Sequence, residues 1–371
     1  MTAPSRIVDT SVSKALASIL VCLIWVMVIY AQATDHSRSA TLTFGGDVLL
    51  GGYYNSPDYG TMDRLVQRID AISRSGGAKA VAESLFQHIA PLFQEADFAV
   101  VNLEGPITPN LPTEDIEALM IEKLIPVRQH QSALEILSCA GVDLVSLANN
   151  HMYDYLGSVG LRQTLDYLDR CPTLDYVGAG YGLDAYEAQI VGIKNIQVAF
   201  FGITDVMEPD EMLSGISDEP GVAGLPGQSD YSKQKQMRRL VKNIKATQDS
   251  SDFVVVMLHA GHISGSQVNE RQVEIVDVLF EAGVDVVVGA HSHSKQAVRE
   301  SRDADGVLHQ VAFYGLGNLV FGGKQGAQTL SSIAEVTLII DDSGKNVSYE
   351  MVDIYPNPDT TYTPQPVFKR N

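Results

Sequence analysis

The stretch Val284-Asp285-Val286-Val287-Val288-Gly289-Ala290-His291-Ser292-His293 carries an apolar, valine-rich run straight into two histidines. A run of that length and composition reads as a buried strand, with the polar residues forming the loop at its carboxyl end. The pattern recurs along the chain. Thr41–Phe44 precedes Gly45-Gly46-Asp47, Phe98–Val101 precedes Asn102-Leu103-Glu104, and Val142–Leu147 precedes Asn149-Asn150-His151. Phe253–Leu258 precedes His259, and Val311–Tyr314 precedes Gly317-Asn318. In open α/β sheets ligands collect outside the carboxyl ends of the strands, so these loops can converge on one site although they are far apart in the chain. Carboxylates, amides and imidazoles are side chains that bind divalent metals, and the pattern predicts a metal-centre scaffold.

Between the runs lie helical stretches at 78–94, at 131–140 stopping at Gly141, and at 157–169 stopping before Cys171-Pro172. The central region therefore reads β-α-β-α. Two later segments change character: Ile190–Ile193 and Ile196–Phe201 flank Lys194-Asn195 like a hairpin, as Ala334–Ile340 and Asn346–Ile354 flank Asp341-Asp342-Ser343-Gly344. The expected sheets are mixed. Residues 208–230, rich in Gly, Pro, Ser and acids, read as a long surface loop and candidate lid, and the proline-rich tail reads as extended.

With 371 residues, 45% of them hydrophobic, the chain can bury one large core or two modest ones. Its formal net charge of −19 argues against nucleic acid, and no cluster of Lys and Arg suited to phosphate contacts stands out on this reading. A polyanionic substrate would be repelled unless bound cations or a local basic patch reversed the field where it docks. At the N-terminus a weakly basic start leads into an apolar run from Ala15 to Tyr30 and then Ala31-Gln32-Ala33, which has the form of an export signal. Sixteen apolar positions exceed an ordinary signal-peptide core and fall short of a comfortable span, and the reading favours a retained anchor over a cleaved peptide. Of the three cysteines, Cys22 lies in this run, while Cys139 and Cys171 are either a disulfide or a reduced pair. The resulting division is a signal-anchor or signal peptide over 1–34, a linker over 35–40, one domain over 41–355 and an extended tail over 356–371.

In an extended segment residues i and i+2 point to the same side, so His291 and His293 can face one ion, with His259 after a neighbouring strand. Asp47 and Glu104 supply anionic oxygens able to bridge two cations; the alternatives are a helix N-cap for Asp47 and a salt-bridged loop residue for Glu104. Asn150 reads as a ligand through its amide oxygen. His151, one residue on, is better placed as a general acid, with Asp154 accepting its other ring N–H or instead capping the helix that follows. Asn149 shares the polar strand end, Asn318 is either a loop-structuring amide or a substrate contact, and His262 has an outer or surface role. His36, His88, His130 and His309 are assigned no chemistry. No G-x-S-x-G elbow or Walker-type loop is present in the sequence.

Taken in order, Gly46-Asp47-Val48-Leu49-Leu50, Asn102-Leu103-Glu104-Gly105-Pro106-Ile107-Thr108, Ala148-Asn149-Asn150-His151 with Asp154, Gly178-Ala179-Gly180, His259-Ala260-Gly261, Gly289-Ala290-His291-Ser292-His293 and Tyr314-Gly315-Leu316-Gly317-Asn318 resemble the bacterial capsule synthesis CapA family. That family is associated with poly-gamma-glutamate capsules and related to calcineurin-like metallophosphoesterases. The resemblance implies an α/β fold, a four-layer α/β/β/α sandwich with mixed sheets, preceded here by the N-terminal apolar helix. It also implies two divalent metal ions (Mn, Zn or Fe) held by Asp47, Glu104, Asn150, His259, His291 and His293, with His151 as proton donor. Three departures stand out: His259-Ala260-Gly261-His262-Ile263 lacks the family's aromatic residue and acid, the glycine after Asp154 comes one residue late, and the Gly317-Asn318 motif begins with Gly315 where the family has serine.

The expected activity is that of an exported metal-dependent hydrolase in capsule or extracellular polymer synthesis. Its expected partners are a polyanionic polymer or phosphoester substrate, the membrane through the N-terminal segment, and other capsule synthesis proteins. The alternative is a non-enzymatic, membrane-anchored factor that grips the polymer through metal ions.

Overall fold

The computed structural model describes residues 37–53, 63–108, 126–206, 215, 218–225, 234–322, 329–357 and 362–367. The N-terminal apolar run, most of the candidate lid and part of the tail lie outside these. No helix among the described residues is long and apolar enough to cross a membrane.

The first part of the chain forms β1 (Arg38–Leu49), β2 (Gly51–Tyr53), α1 (Asp63–Leu85), α2 (Ala90–Gln94), β3 (Phe98–Leu103), β4 (Val127–Gln129), α3 (Ala133–Ala140), β5 (Leu144–Ser146), α4 (Ser158–Leu168), β6 (Asp175–Val177) and β7 (Ala179–Gly180). Then follow β8 (Gln189–Ile193), β9 (Ile196–Thr204), β10 (Gly221–Val222), α5 (Lys235–Thr247), β11 (Phe253–His259), α6 (Glu270–Glu281), β12 (Val286–Ala290), β13 (Val298–Arg302) and β14 (Leu308–Phe313). The last strands are β15 (Asn318–Phe321), β16 (Ser331–Asp341), β17 (Gly344–Tyr355) and β18 (Gln365–Pro366).

Two large mixed sheets result, one ordered β18-β17-β16-β1-β3-β5-β6 with β15 beside the end of β1, the other β13-β14-β12-β11-β9-β8. Each has four neighbouring parallel strands, β1-β3-β5-β6 and β9-β11-β12-β14, flanked by antiparallel strands on the β16 side of the first sheet and on both sides, β8 and β13, of the second. Side chains alternate across a strand, and β11 shows what this does. Val255 and Met257 face the first sheet in a core with Leu42, Phe44, Val100, Phe200 and Phe313, while Val254, Val256 and Leu258 pack on α5 and α6. On the other side, α1, α3 and α4 cover the first sheet through Ile69, Leu85, Ile136, Leu161 and Leu165. The layers are therefore helix, sheet, sheet, helix.

The two predicted hairpins form as β8–β9 and β16–β17. The predicted helices at 131–140 and 157–169 match α3 and α4 within two residues. The helix predicted at 78–94 begins where the chain kinks at Gly77 and is corrected at its C-terminal end, which falls at Leu85. It is the second half of α1, which continues from Asp63 across a non-helical Gly77 at φ 65°, and α2 is separate. Gly77 interrupts the helix with a backbone conformation that glycine adopts readily, and Leu65 and Ile69 on the arm before the kink pack into the same core as Leu85 beyond it. Pro91, with no N–H to donate, starts a new helix rather than extending α1. Cys139 is exposed, Cys171 is half-buried, and they are not bridged.

At the amino ends of the parallel strands one device repeats. Asp97, Asp143, Asp252 and Asp285 each immediately precede or open the way into a strand, and each carboxylate accepts the backbone N–H of the adjoining strand, from Thr41, Ala99, Gln197 and Val254 respectively, at 2.8 Å. Three of these carboxylates also meet a cation from the opposite sheet. Lys194 in the β8–β9 turn reaches Asp97 at 2.7 Å, Arg38 of β1 reaches Asp252 at 3.3 Å, and Lys345 of β17 reaches Asp285 at 2.8 Å. Burial raises the pKa of Asp285, an effect that the Lys345 charge partly offsets.

Candidate metal centre

At the opposite, carboxyl edge the two sheets bring together every residue singled out as a ligand. Asp47 lies inside β1, fully buried, where an irregularity places it beside Asn102 of β3 and Asn318 of β15. Gly46 permits this: a Cβ there would stand 1.7 Å from the Gly317 carbonyl oxygen, whose acceptor role is taken by the Asp47 N–H at 2.9 Å. Asp47 is thus not a helix N-cap. Glu104, also fully buried, follows β3, and Asn102 donates to both carboxylates, at 2.8 Å to Asp47 and 2.5 Å to Glu104.

The second sheet supplies the imidazoles. His259 ends β11, whereas His291 and His293 follow β12 with left-handed backbone at φ 82° and 50°. The extended i, i+2 geometry expected for this pair is therefore corrected. A curled loop, braced by the Ser292 hydroxyl donating to the Ser294 carbonyl at 2.8 Å, presents both rings. Left-handed backbone strains a residue with a Cβ, and here the His291 N–H gains the Asp47 carboxylate at 3.1 Å. His293 has its Nδ1 2.8 Å from the Asn318 amide oxygen and 3.4 Å from Asp47, with its ring edge-on to Phe321. Asn318 is thus placed to orient His293.

His259 Nε2 lies 3.1 Å from His291 Nδ1, 3.0 Å from Asn150 Oδ1 and 3.7 Å from Glu104 Oε1. Glu104, His259 and His291 can offer ligand atoms within 4.8 Å of one another. Two imidazole nitrogens facing each other beside a carboxylate and an amide oxygen suit a shared divalent cation, because each can then present a lone pair. Burial pushes the His291 pKa well below the usual histidine value, helped by the charges of His293, His151, His262 and Arg271, which favours the neutral, ligating form. For His293 burial acts downward too, but the hydrogen bond and charge of Asp47, together with Asn318, outweigh it and raise the pKa. The donor set, nitrogen and oxygen only, fits Mn, Zn or Fe.

His151 stands at the rim with Nδ1 2.5 Å from Asp154 and Nε2 3.7 Å from Glu104. Asp154 also accepts the Val127 N–H at 2.8 Å, while the N-cap of α4 is Gly157, so Asp154 positions the imidazole and does not cap the helix. Asn149 is structural: its amide donates to the Leu103 carbonyl at 2.8 Å and its oxygen accepts the His151 N–H at 3.2 Å.

Sequence reasoning gave no role to Asn102, Gln129 or Arg271. Gln129 accepts the Leu50 N–H and donates to the Val48 and Glu104 carbonyls, tying the Asp47 and Glu104 segments together. Arg271 pairs with Asp205 at 2.6 Å, and the Asp205 N–H donates to the His259 carbonyl at 3.2 Å. Asn102 stood in a quoted motif, but Gln129 and Arg271 lie outside the strand-end loops and carry no comparable local signal.

These features define a two-sheet α/β protein with a possible metal-binding group of Glu and His at the sheets' carboxyl edge. Residues 41–323 match the model of the family described as "Bacterial capsule synthesis protein PGA_cap", and the chain belongs to that family. It is similar to "PGA biosynthesis protein CapA" of Bacillus subtilis (strain 168), 26% identical over 281 residues, covering 75% of this chain and 62% of that protein. It is also similar to "Capsule biosynthesis protein CapA" of Bacillus anthracis, 26% identical over 356 residues, covering 95% of this chain and 76% of that protein. A "Probable polyglutamine synthesis accessory protein" of Mycobacterium tuberculosis is 24% identical over 268 residues, covering 70% and 66% respectively.

Proposed function

We propose that this chain is an exported, membrane-tethered accessory enzyme of capsule polymer synthesis, a metal-dependent hydrolase with a metallophosphoesterase-like domain over 41–355. The observation that carries this reading is the convergence of Asp47, Glu104, Asn150, His259, His291 and His293 from two sheets, with the His151–Asp154 pair beside them. Two divalent ions would be held by these six side chains. Such ions supply Lewis acidity and stabilise developing negative charge.

The protein's own groups do the rest. Asn102 and Gln129 fix the oxygen donors, and Asn318 fixes His293. Asp154 holds His151 through Nδ1 and fixes the ring's orientation, so Nε2 is placed to deliver a proton to the departing oxygen. Arg271, paired with Asp205 at 2.6 Å, ties the Asp205 segment in place beside the His259 carbonyl. The names of the Bacillus relatives, a PGA biosynthesis protein and a capsule biosynthesis protein, support a place beside other capsule synthesis proteins; the proposed substrate is a poly-gamma-glutamate-like polymer or a phosphoester, and the proposed further partner is the membrane.

The second reading, a metal-dependent polymer-binding factor without turnover, is favoured by His259-Ala260-Gly261-His262-Ile263, where the family's acid is missing. The full chain should be assayed on a chromogenic phosphoester and on poly-gamma-glutamate, with and without chelator. The enzymatic reading expects metal-dependent cleavage that falls by roughly 10²–10⁴-fold in His151→Gln with metal content kept. Chelator-sensitive polymer binding without cleavage of either substrate would replace it with the second reading.

A further inference from the structure

In a chain of net charge −19, α5 carries Lys235, Arg238, Arg239, Lys242 and Lys245 and no acid. The expectation that no cluster of cations exists is therefore corrected. Four of them, Lys235, Arg238, Lys242 and Lys245, are exposed and follow one another at steps of three, four and three residues. On a helix that spacing makes a single stripe, about 15 Å long at a rise of 1.5 Å per residue. Like charges at these spacings repel and weaken a helix. Elsewhere Arg38, Lys194, Arg271, Lys295 and Lys345 are each held by a carboxylate, but among the described residues Lys235, Lys242 and Lys245 have no ion pair. Met237, Leu240 and Ile244 bury the opposite face of α5 in the protein's own core.

Beside the stripe runs a groove of about 530 Å³ between α5 and α6. Arg238, Lys242 and Lys245 line it, Val241, Val278 and Ala282 supply apolar surface, and Glu281 is its acid. We infer that this groove is a docking site for a linear polycarboxylate, whose carboxylates pair with the cationic stripe while its methylene groups lie on the apolar surface. The assignment rests on the proposed role in acidic-polymer synthesis and places the holding of the chain away from the metal centre. An anionic membrane surface fits less well, because the apolar face of α5 is already committed to the core and none is left to enter a bilayer. The stripe also supplies the local reversal of field that an acidic protein needs to hold an acidic polymer.

The test is binding of fluorescently labelled poly-gamma-glutamate to the full chain, in parallel with vesicles of phosphatidylglycerol. The expected result is polymer binding that survives chelator, weakens with added salt, falls at least about tenfold in Lys242→Glu/Lys245→Glu and is retained in Lys242→Arg/Lys245→Arg. Thermal unfolding of both double variants should match the wild type, since the altered side chains are exposed. Polymer binding unchanged by charge reversal would overturn the inference, as would stripe-dependent binding of vesicles but not of polymer. Polymer binding abolished by chelator and unaffected by charge reversal would locate the polymer at the metal centre, leaving the proposed function standing and this site refuted.

Discussion

The two edges of the paired sheets use the same residue types for different ends. At the amino edge Asp97, Asp252 and Asp285 hold the backbone of a neighbouring strand and each meets one Lys or Arg from the other sheet. At the carboxyl edge Asp47 and Glu104 of the first sheet meet His259, His291 and His293 of the second. A lysine or arginine closes the gap at one edge with a flexible, half-exposed side chain. At the other edge the groups are buried and are all electron-pair donors, which is the arrangement a divalent cation satisfies. Three of the four amino-edge carboxylates are thus answered by the protein's own cations, whereas the carboxyl edge gathers a group of Glu and His that could hold a metal ion.

Between the edges lies the apolar core, and magnitudes rank the three. Phe200, fully buried and stacked on Phe98 at 5.3 Å, joins the sheets, so Phe200→Ala should lower stability by about 3–5 kcal/mol in chemical denaturation, with or without metal. A loss confined to one metal condition would make the edges, not the core, the main tie. Next comes chelation: a metal present at a hundredfold its dissociation constant stabilises by about 2.7 kcal/mol, so chelator should lower the melting temperature of the wild type. His291→Ala/His293→Ala should start lower and not respond; an equal response to chelator would place the ion elsewhere.

Third is Lys345→Met at the amino edge. Because Lys345 is half-exposed, the cost at neutral pH is discounted to about 1–2 kcal/mol from the larger value for a fully buried pair. The sign with pH follows from Asp285, whose folded pKa is raised by burial. The folded state holds that proton more tightly than the unfolded chain, so this contribution is fully present below the unfolded pKa and lost as pH rises through the folded one. Without Lys345 the folded pKa rises further, and the variant's deficit should grow with pH and shrink in acid. A pH-independent deficit would mean that Lys345 acts through packing alone. Smallest is Arg38→Gln, an exposed pair worth about 0.2–1 kcal/mol, which added salt should erase.

The carboxyl edge was legible in sequence because each buried, valine-rich run ends abruptly in a polar loop, and the structure brings Asp47, Glu104, Asn150, His259, His291 and His293 together as that pattern suggests. The left-handed turn at His291 was not legible, since Gly289-Ala290-His291 gives no local sign that the chain curls there so that the His291 N–H donates to Asp47 of the other sheet. The amino edge was half legible. Asp97-Phe98, Asp143-Leu144, Asp252-Phe253 and Asp285-Val286 are visible as a repeated acid-then-apolar pair, but their partners Thr41, Ala99, Gln197 and Val254 lie tens of residues away. The α5 stripe was present at helical spacing and hidden by the sign of the total charge, which says nothing of how the cations are distributed.

On the reading proposed above, the carboxyl edge would take up divalent cations where the amino edge uses lysine and arginine. This is tested most directly by elemental mass spectrometry of the full chain after metal repletion and removal of excess, beside His291→Ala/His293→Ala. The account predicts about two transition-metal ions per wild-type chain, lost in the variant. No bound metal in the wild type, or equal metal in both, would contradict it.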